Sequence, residues 1–291
     1  MNLAQIFVGT SEPLEPIPTD TVAKLPKLPD IKAVLFDVYG TLIISGVGDI
    51  SLTESENRDT VIARALASQG IGIPFSERAG LSERFRSVIA QHQEKERLNG
   101  TDWPEVDIRS VWRDFVEDGD QLCPSGKQLN AVATFYETLV NPVWPMPHLI
   151  EVMDTLRKSS LELGIVSNAQ FFTPLMFEAF LEKNVHAVGF QKDLCFWSFA
   201  HLKAKPGTAL YEKAVWTLGE TYKIQAHEVL YVGNDMRNDI MPAQRVGMRT
   251  ALFAQDKRSL RWRKGDTSVD GIEPDAVVTD LRQVLDIVGI S

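Results

Sequence analysis

Four short apolar runs, each halted by polar residues, constrain this chain more than any other feature. Ala33-Val34-Leu35-Phe36 stops at Asp37, and Leu163-Gly164-Ile165-Val166 stops at Ser167-Asn168. Val229-Leu230-Tyr231-Val232 stops at Gly233-Asn234-Asp235, and Thr250-Ala251-Leu252-Phe253 stops at Ala254-Gln255. Their apolarity is continuous rather than alternating, which marks strands buried on both faces of a sheet. Helical patterns at 149–159, 172–183, 206–219 and 238–246 alternate with them. Such alternation means parallel strands joined by right-handed crossovers. The expected fold is therefore α/β, with a doubly wound parallel sheet built from residues 31–49 and 146–291.

Residues 50–145 break this rhythm. Helical patterns cover 52–69, 76–98, 106–117 and 127–140, and no β-alternation of any length interrupts them. The segment reads as an inserted helical cap, hinged near Ser45–Gly48 and near Asn141–Pro147. Trp112 and Phe115, three apart, read as its core. Trp103-Pro104-Glu105 reads as a loop before a capped helix, and His92 as a solvated side chain. At the N-terminus, residues 1–30 carry Pro13, Pro16, Pro18, Pro26 and Pro29. Proline fixes φ and removes a donor, so this stretch reads as an extended arm over the surface, without chemistry.

Composition excludes several functions. A net charge of −9 disfavours nucleic acid, whose phosphates need Lys/Arg surfaces. The one dense basic run, Lys257 to Lys264, reads as a solvated face. Two cysteines, Cys123 and Cys195, form no CxxC pair, and His148, His186, His201 and His227 show no metal-ligand spacing. No apolar run approaches a membrane span, and the start lacks a secretory pattern. The expectation is a cytoplasmic monomer or homodimer acting on a small anionic substrate.

The chemistry-bearing residues cluster at strand ends, where doubly wound sheets bind ligands. Asp37 is a carboxylate on a loop whose Gly40 permits a tight turn, and a carboxylate can be a nucleophile when a cation orients it. Ser167 and Asn168 offer donors for anionic oxygens. Lys205 stands before Pro206 at the start of a helical pattern, a place suited to anions. Asp235 and Asp239, four apart, are hard oxygen ligands of the kind that suits Mg²⁺.

These segments are similar to the motifs of the haloacid dehalogenase (HAD) superfamily. Phe36-Asp37-Val38-Tyr39-Gly40-Thr41-Leu42 resembles the first motif and Ile165-Val166-Ser167-Asn168 the second. Lys205-Pro206 resembles the third, and Val232-Gly233-Asn234-Asp235 through Asp239 the fourth. The resemblance implies a Rossmann-like core with a helical cap between the first two motifs. It implies that Asp37 attacks the substrate to form a covalent aspartyl intermediate. Thr41, Ser167 and Asn168 would bind the transferred group, and Lys205 would balance charge. Mg²⁺ would be held by Asp37, the Tyr39 carbonyl and Asp235, with Asp239 positioning Lys205 or a ligand water.

Within that family the signature is mixed. Phosphatases carry a second Asp two residues after the nucleophile as general acid and base, and here that place holds Tyr39. FDVYGTL is similar instead to L-2-haloacid dehalogenases, whose halide leaves without a proton; Tyr211 matches a tyrosine of theirs. Arg58 and Arg64 are the early-cap arginines available for halide. The acidic fourth motif favours Mg²⁺ and phosphate. The expected function is Mg²⁺-dependent hydrolysis of a small phosphate ester. The alternatives are metal-free 2-haloacid dehalogenation, another hydrolytic specificity, or a degenerate module that binds a small anion without turnover.

Overall fold

A computed structural model describes residues 2–28, 30–46, 58–74, 76, 78–117 and 124–290. Pro29, Cys123, the start of the expected 52–69 helix and the Val47-Gly48 end of the first expected hinge lie outside these residues.

Among the described residues there are eight strands: β1 Ala33–Phe36, β2 Ile43–Ser45, β3 Val143–Pro145, β4 Glu162–Ser167, β5 Cys195–Trp197, β6 Val229–Gly233, β7 Arg249–Phe253 and β8 Ala276–Val278. Six form one sheet in the order β5-β4-β1-β6-β7-β8, with every pairing parallel. The order runs outward both ways from β1, so the sheet is doubly wound. The edge strands β5 and β8 escape sequence reading because each is only three residues long. Along β1, successive side chains go to opposite faces. Val34 and Phe36 join one core cluster, while Ala33 and Leu35 join another. Both faces of the strand are dry, which is why its apolarity does not alternate.

The helices are α1 Ala4–Thr10, α2 Arg58–Ala67, α3 Leu81–Leu98, α4 Ile108–Glu117, α5 Gly126–Val140, α6 Leu149–Lys158, α7 Thr173–Leu181, α8 Val185–Val188, α9 Ser198–His201, α10 Ala209–Thr217, α11 Met241–Arg245 and α12 Gln283–Val288. Met153 and Leu156 of α6 and Phe177 of α7 cover one face of the sheet. Leu210 and Ala214 of α10 cover the other. Full burial of each Met, Leu or Phe side chain among them contributes roughly 1.5–3 kcal/mol. Among the described residues, no helix is long and apolar enough to cross a membrane.

Helices α2 to α5 own a separate core, in which Phe85, Trp112, Phe115 and Leu129 are buried together. The Phe85 and Trp112 rings lie 4.5 Å apart, and Phe115 meets Phe85 edge-on at 5.3 Å. Helix α5 starts at a capping box made by Ser125 and Gln128. The chain leaves the sheet through β2 and returns through β3, and these two strands pair antiparallel.

The N-terminal arm departs from expectation. Its prolines begin only at Pro13, and before them α1 forms and packs against α5 and α7. Phe7 is buried in the main core beside Phe172 and Phe180. Beyond α1 the arm is irregular, and Lys24 exchanges two backbone hydrogen bonds with Val277, covering the outer edge of β8.

Candidate active site

Because β1 lies between β4 and β6, the polar residues that stop these strands meet at one edge of the sheet. A cavity of about 190 Å³ opens there, lined by Asp37, Tyr39, Ser45, Asn168, Lys205, Asn234, Asp235, Asn238, Asp239 and Arg261.

Lys205 is the hub. Its Nζ donates to Asp37 Oδ1 at 2.7 Å, to Asp239 Oδ1 at 2.5 Å and to the Tyr231 hydroxyl at 3.2 Å. Lys205, Asp37 and Asp239 are all buried, so water screens their attraction little. Burial works against the Lys205 charge, yet Asp239 and Asp37 outweigh it and hold the ammonium above the usual lysine range. Burial pushes the Asp239 carboxyl up, to about 7, against the pull of Lys205.

Local sequence sets these positions. Asp239 folds back onto the strand end, where its Oδ2 accepts the backbone N–H groups of Asn234 at 3.0 Å and Asp235 at 2.9 Å. That approach needs a residue without a side chain at Gly233, where a Cβ would sit 2.5 Å from Asp239 Cγ. Asn168 grips the backbone of Lys205: its Oδ1 accepts Lys205 N–H at 2.8 Å and its Nδ2 donates to the Lys205 carbonyl at 3.1 Å. Gly40 turns the loop after Asp37 at φ +79°. A Cβ there would lie 2.4 Å from Ser259 Cβ and 2.8 Å from Asn234 Nδ2. Gly40→Ala combines a disfavoured backbone conformation with a collision, so unfolding free energy should fall by about 2–4 kcal/mol. Denaturant melts measure this, and a loss under about 0.5 kcal/mol would contradict the packing described.

The structure places several of the sequence-assigned residues off the cavity wall or engages them in hydrogen bonds. Tyr211 is fully buried, donates to the Asn238 carbonyl at 2.9 Å and packs edge-on against Tyr231. It is a core residue behind the site and does not line the cavity. Thr41 and Ser167 are likewise fully buried and off the cavity wall. The Thr41 hydroxyl donates to Asn234 Oδ1 at 3.2 Å, and the Ser167 hydroxyl to the Asn168 carbonyl at 3.3 Å. Asn168 does line the cavity, but its amide is spent on Lys205. The Tyr39 hydroxyl lies 3.0 Å from Thr173 Oγ1, and burial raises its pKa well above the usual value, with Glu137 adding to the effect. Burial therefore favours the neutral Tyr39 hydroxyl over the phenolate.

Asp235 is the main departure at the expected metal site. Its Oδ1 accepts N–H groups from Arg237 at 2.9 Å, Asn238 at 3.3 Å and Arg263 Nε at 3.0 Å. Its Oδ2 accepts Asn238 Nδ2 at 3.0 Å and Arg263 Nη2 at 2.5 Å. A guanidinium already balances its charge. By contrast, among the described residues no hydrogen bond ends on Asp37 Oδ2 or on the Tyr39 carbonyl. The donors are right in kind for a hard cation. Asp37 Oδ2 and the Tyr39 carbonyl carry no hydrogen bond while Asp235 is engaged by Arg263, and among the described residues no three His, Cys, Asp or Glu side chains gather as a metal-holding group.

The helical insert touches the site through its loop. Ala204 N–H donates to the Trp103 carbonyl at 2.8 Å, and Glu105 N–H to the Leu202 carbonyl at 3.1 Å, immediately before Lys205. Glu105 also accepts the Ser198 hydroxyl at 2.8 Å, and burial raises its carboxyl pKa. Gln170, two residues beyond Asn168, holds the Val106 carbonyl and the Ile108 N–H. Sequence reading did not assign Gln170, Ser45, Asn238 or Arg261 to the site. Ser45 entered only as the start of the first hinge, and Arg261 only as part of the basic run.

With this geometry in view, the comparisons with known proteins are specific. A family profile of haloacid dehalogenase-like hydrolases matches residues 31–247. The chain is 26% identical over 258 residues to the glyceraldehyde 3-phosphate phosphatase of Methanopyrus kandleri, covering 89% of this chain and 97% of that one. Its fold is similar to a 2-haloacid dehalogenase from Pseudomonas syringae pv. Tomato (TM-score 0.56, 19% identity, covering 89% of this chain and 98% of the other). It is also similar to a HAD phosphatase from Thermococcus onnurineus (TM-score 0.53, 19% identity, covering 90% and 99%).

Proposed function

The chain belongs to the haloacid dehalogenase-like hydrolase family, and from that premise we propose that it hydrolyses a small phosphate ester through a covalent intermediate on Asp37. One observation carries the reading. Asp37 has one oxygen fixed by the Lys205 ammonium and the other free of hydrogen bonds, at the wall of a small polar cavity. The free oxygen attacks phosphorus; the bond from phosphorus to the ester oxygen breaks, and the leaving group departs as an alkoxide that takes its proton from water. Water then attacks the aspartyl phosphate, releasing inorganic phosphate and restoring the carboxylate. Lys205 holds Asp37 in line and balances charge in both steps, and Asp239 holds Lys205. The name of the Methanopyrus relative supports the phosphate substrate. Helices α2–α5 act as a cap, a role supported by their separate core and by the Trp103–Glu105 loop beside Lys205.

Asp37, the Tyr39 carbonyl and Asp235 would hold Mg²⁺, with Arg263 turned away from Asp235. Bound there, the ion supplies positive charge for the phosphoryl oxygens. Phosphate release from p-nitrophenyl phosphate and a panel of alkyl phosphates is expected with Mg²⁺ present. It should vanish in excess EDTA and return on adding Mg²⁺. Undiminished turnover in EDTA would overturn the metal requirement. A second reading, metal-free displacement of halide from a 2-haloacid, is favoured by Arg263 on Asp235 and by Tyr39, since halide needs no proton. Halide release from 2-chloropropionate without added metal would establish it.

Tyr39 makes a further prediction. With no carboxyl two residues after Asp37, an alkoxide leaves unassisted, so aryl phosphates should outrun alkyl phosphates. Tyr39→Asp restores a proton donor, and the rate on alkyl phosphates should rise about 10²-fold. The alkyl-to-aryl rate ratio reads this directly; an unchanged ratio would show that the leaving group already receives its proton from elsewhere.

A further inference from the structure

The cavity holds one cation that the scheme above leaves idle. Arg261 lies on its wall with Asp37 and Lys205. Lys205 is claimed by Asp37 and Asp239, and Arg263 by Asp235. Among the described residues, Arg261 has no carboxylate partner. Its Nη1 donates to the carbonyls of Arg258 at 2.7 Å and Leu260 at 3.1 Å, and no described hydrogen bond uses its Nε or Nη2. A guanidinium with two adjacent unused donors is a fork matched to an oxyanion.

The backbone holds that fork in place. Arg261 N–H donates to the Asn234 carbonyl and Met236 N–H to the Arg261 carbonyl, both at 2.9 Å, so residue 261 is stitched to the loop that follows β6. Upstream, buried Asp256 accepts N–H groups from Arg258 at 3.0 Å and from Ile17 at 3.1 Å. Lys257 N–H donates to the Ile17 carbonyl at 2.8 Å, and Arg258 reaches the Glu15 carbonyl. The proline-rich arm therefore clamps the start of the basic run while the fourth motif clamps its middle. A run expected to be a solvated face is instead anchored at both places, with Arg261 on the cavity wall.

Charge gives the reason. Asp37, Asp235 and Asp239 face this space, and Lys205 and Arg263 offset only two of them. Until a cation is bound, an anionic substrate entering without Arg261 would meet a net negative wall, and Arg261 offsets the third carboxylate.

We propose that Arg261 is a specificity-determining residue that clamps an oxyanion of the substrate in the cavity. The anion is the phosphoryl group itself or a carboxylate on the same small molecule. The proposal rests on the phosphate-ester reading for its substrate class, but not for its binding test. Arg261→Ala should raise KM for phosphate esters about 10- to 100-fold, with a smaller change in kcat, as expected for losing a charge-assisted hydrogen-bonded contact. Arg261→Lys keeps a donor for the Arg258 and Leu260 carbonyls and the charge but loses the fork, so it should fall between. Lys264→Ala, an exposed neighbour in the same run, should match the wild type.

Inorganic phosphate, titrated by calorimetry into wild type and variants, separates the two sources without turnover. Weaker phosphate binding in Arg261→Ala assigns the fork to the phosphoryl group. Unchanged phosphate binding, with lost preference for phosphoglycolate over glycerol phosphate, assigns it to a carboxylate. If the wild type hydrolyses no phosphate ester, the proposed function fails. Weaker binding of phosphate, or of acetate as the carboxylate probe, in Arg261→Ala would still uphold the clamp. Unchanged KM, preference and anion binding in a folded Arg261→Ala would overturn it.

Discussion

Asp37→Asn is expected to abolish turnover, with kcat lowered by at least about 10³-fold on any accepted substrate, while the protein remains folded. The amide is close to isosteric, and its oxygen can still accept the hydrogen bond that Lys205 donates at 2.7 Å. It has no negative oxygen with which to attack. The buried ammonium loses one carboxylate but keeps Asp239 at 2.5 Å, so the change in stability should be small beside the change in rate. Paired measurements of kcat and melting temperature separate the two. Retention of more than about a tenth of wild-type kcat would rule out covalent catalysis by Asp37.

How far the site was legible from sequence depends on what each residue's signal was made of. Asp37, Lys205, Asp235 and Asp239 were readable because each sits at a fixed offset from an apolar strand or before a helix. Parallel topology then brings such offsets to one edge of the sheet. Continuous apolar runs gave away the strands with two covered faces, such as β1. They could not reveal β5 or β8, too short to stand out from a loop. The placement of Tyr211 was not legible, because a position six residues after Lys205 says nothing about which way a helix turns it; α10 turns it into the core against Tyr231. Arg263 and Arg261 come from a loop after β7 that reaches back to the strand edge through long-range backbone bonds. No local periodicity encodes that path. Their shared run showed only charge, and charge alone does not distinguish a solvated face from an anchored one. The start of the arm is helical rather than extended because its prolines begin at Pro13 and Ala4–Thr10 contains none.

Replacing Lys205 by Met should produce the other large effect, on stability as well as rate. In the native protein one ammonium stands between two buried carboxylates, and Asp239 has only 1% of its surface exposed. Removing one partner of a buried ionic network leaves charge uncompensated and costs roughly 3–5 kcal/mol. Methionine fills the stem's volume, so the loss reflects charge rather than a cavity. Its pH dependence follows from Asp239. Burial already pushes this carboxyl up to about 7, with Lys205 pulling the other way. Without the ammonium its proton affinity rises further. A native carboxyl that holds its proton more tightly than the unfolded one contributes stability that is complete below the unfolded value, and that contribution is lost as pH rises through the folded value. The deficit of Lys205→Met relative to wild type should therefore be greatest above about pH 7 and shrink on acidification. Adding Asp239→Asn should recover part of it at neutral pH. The neutral amide keeps an oxygen for the Asn234 and Asp235 N–H groups while removing the charge. Turnover should stay lost in both variants, because Asp37 has no cation to orient it. Denaturant melts from pH 5 to 9 on the single and double variants measure this. A deficit that does not change with pH, or no recovery in the double variant, would show that Lys205 supports the fold through packing rather than by neutralising Asp37 and Asp239.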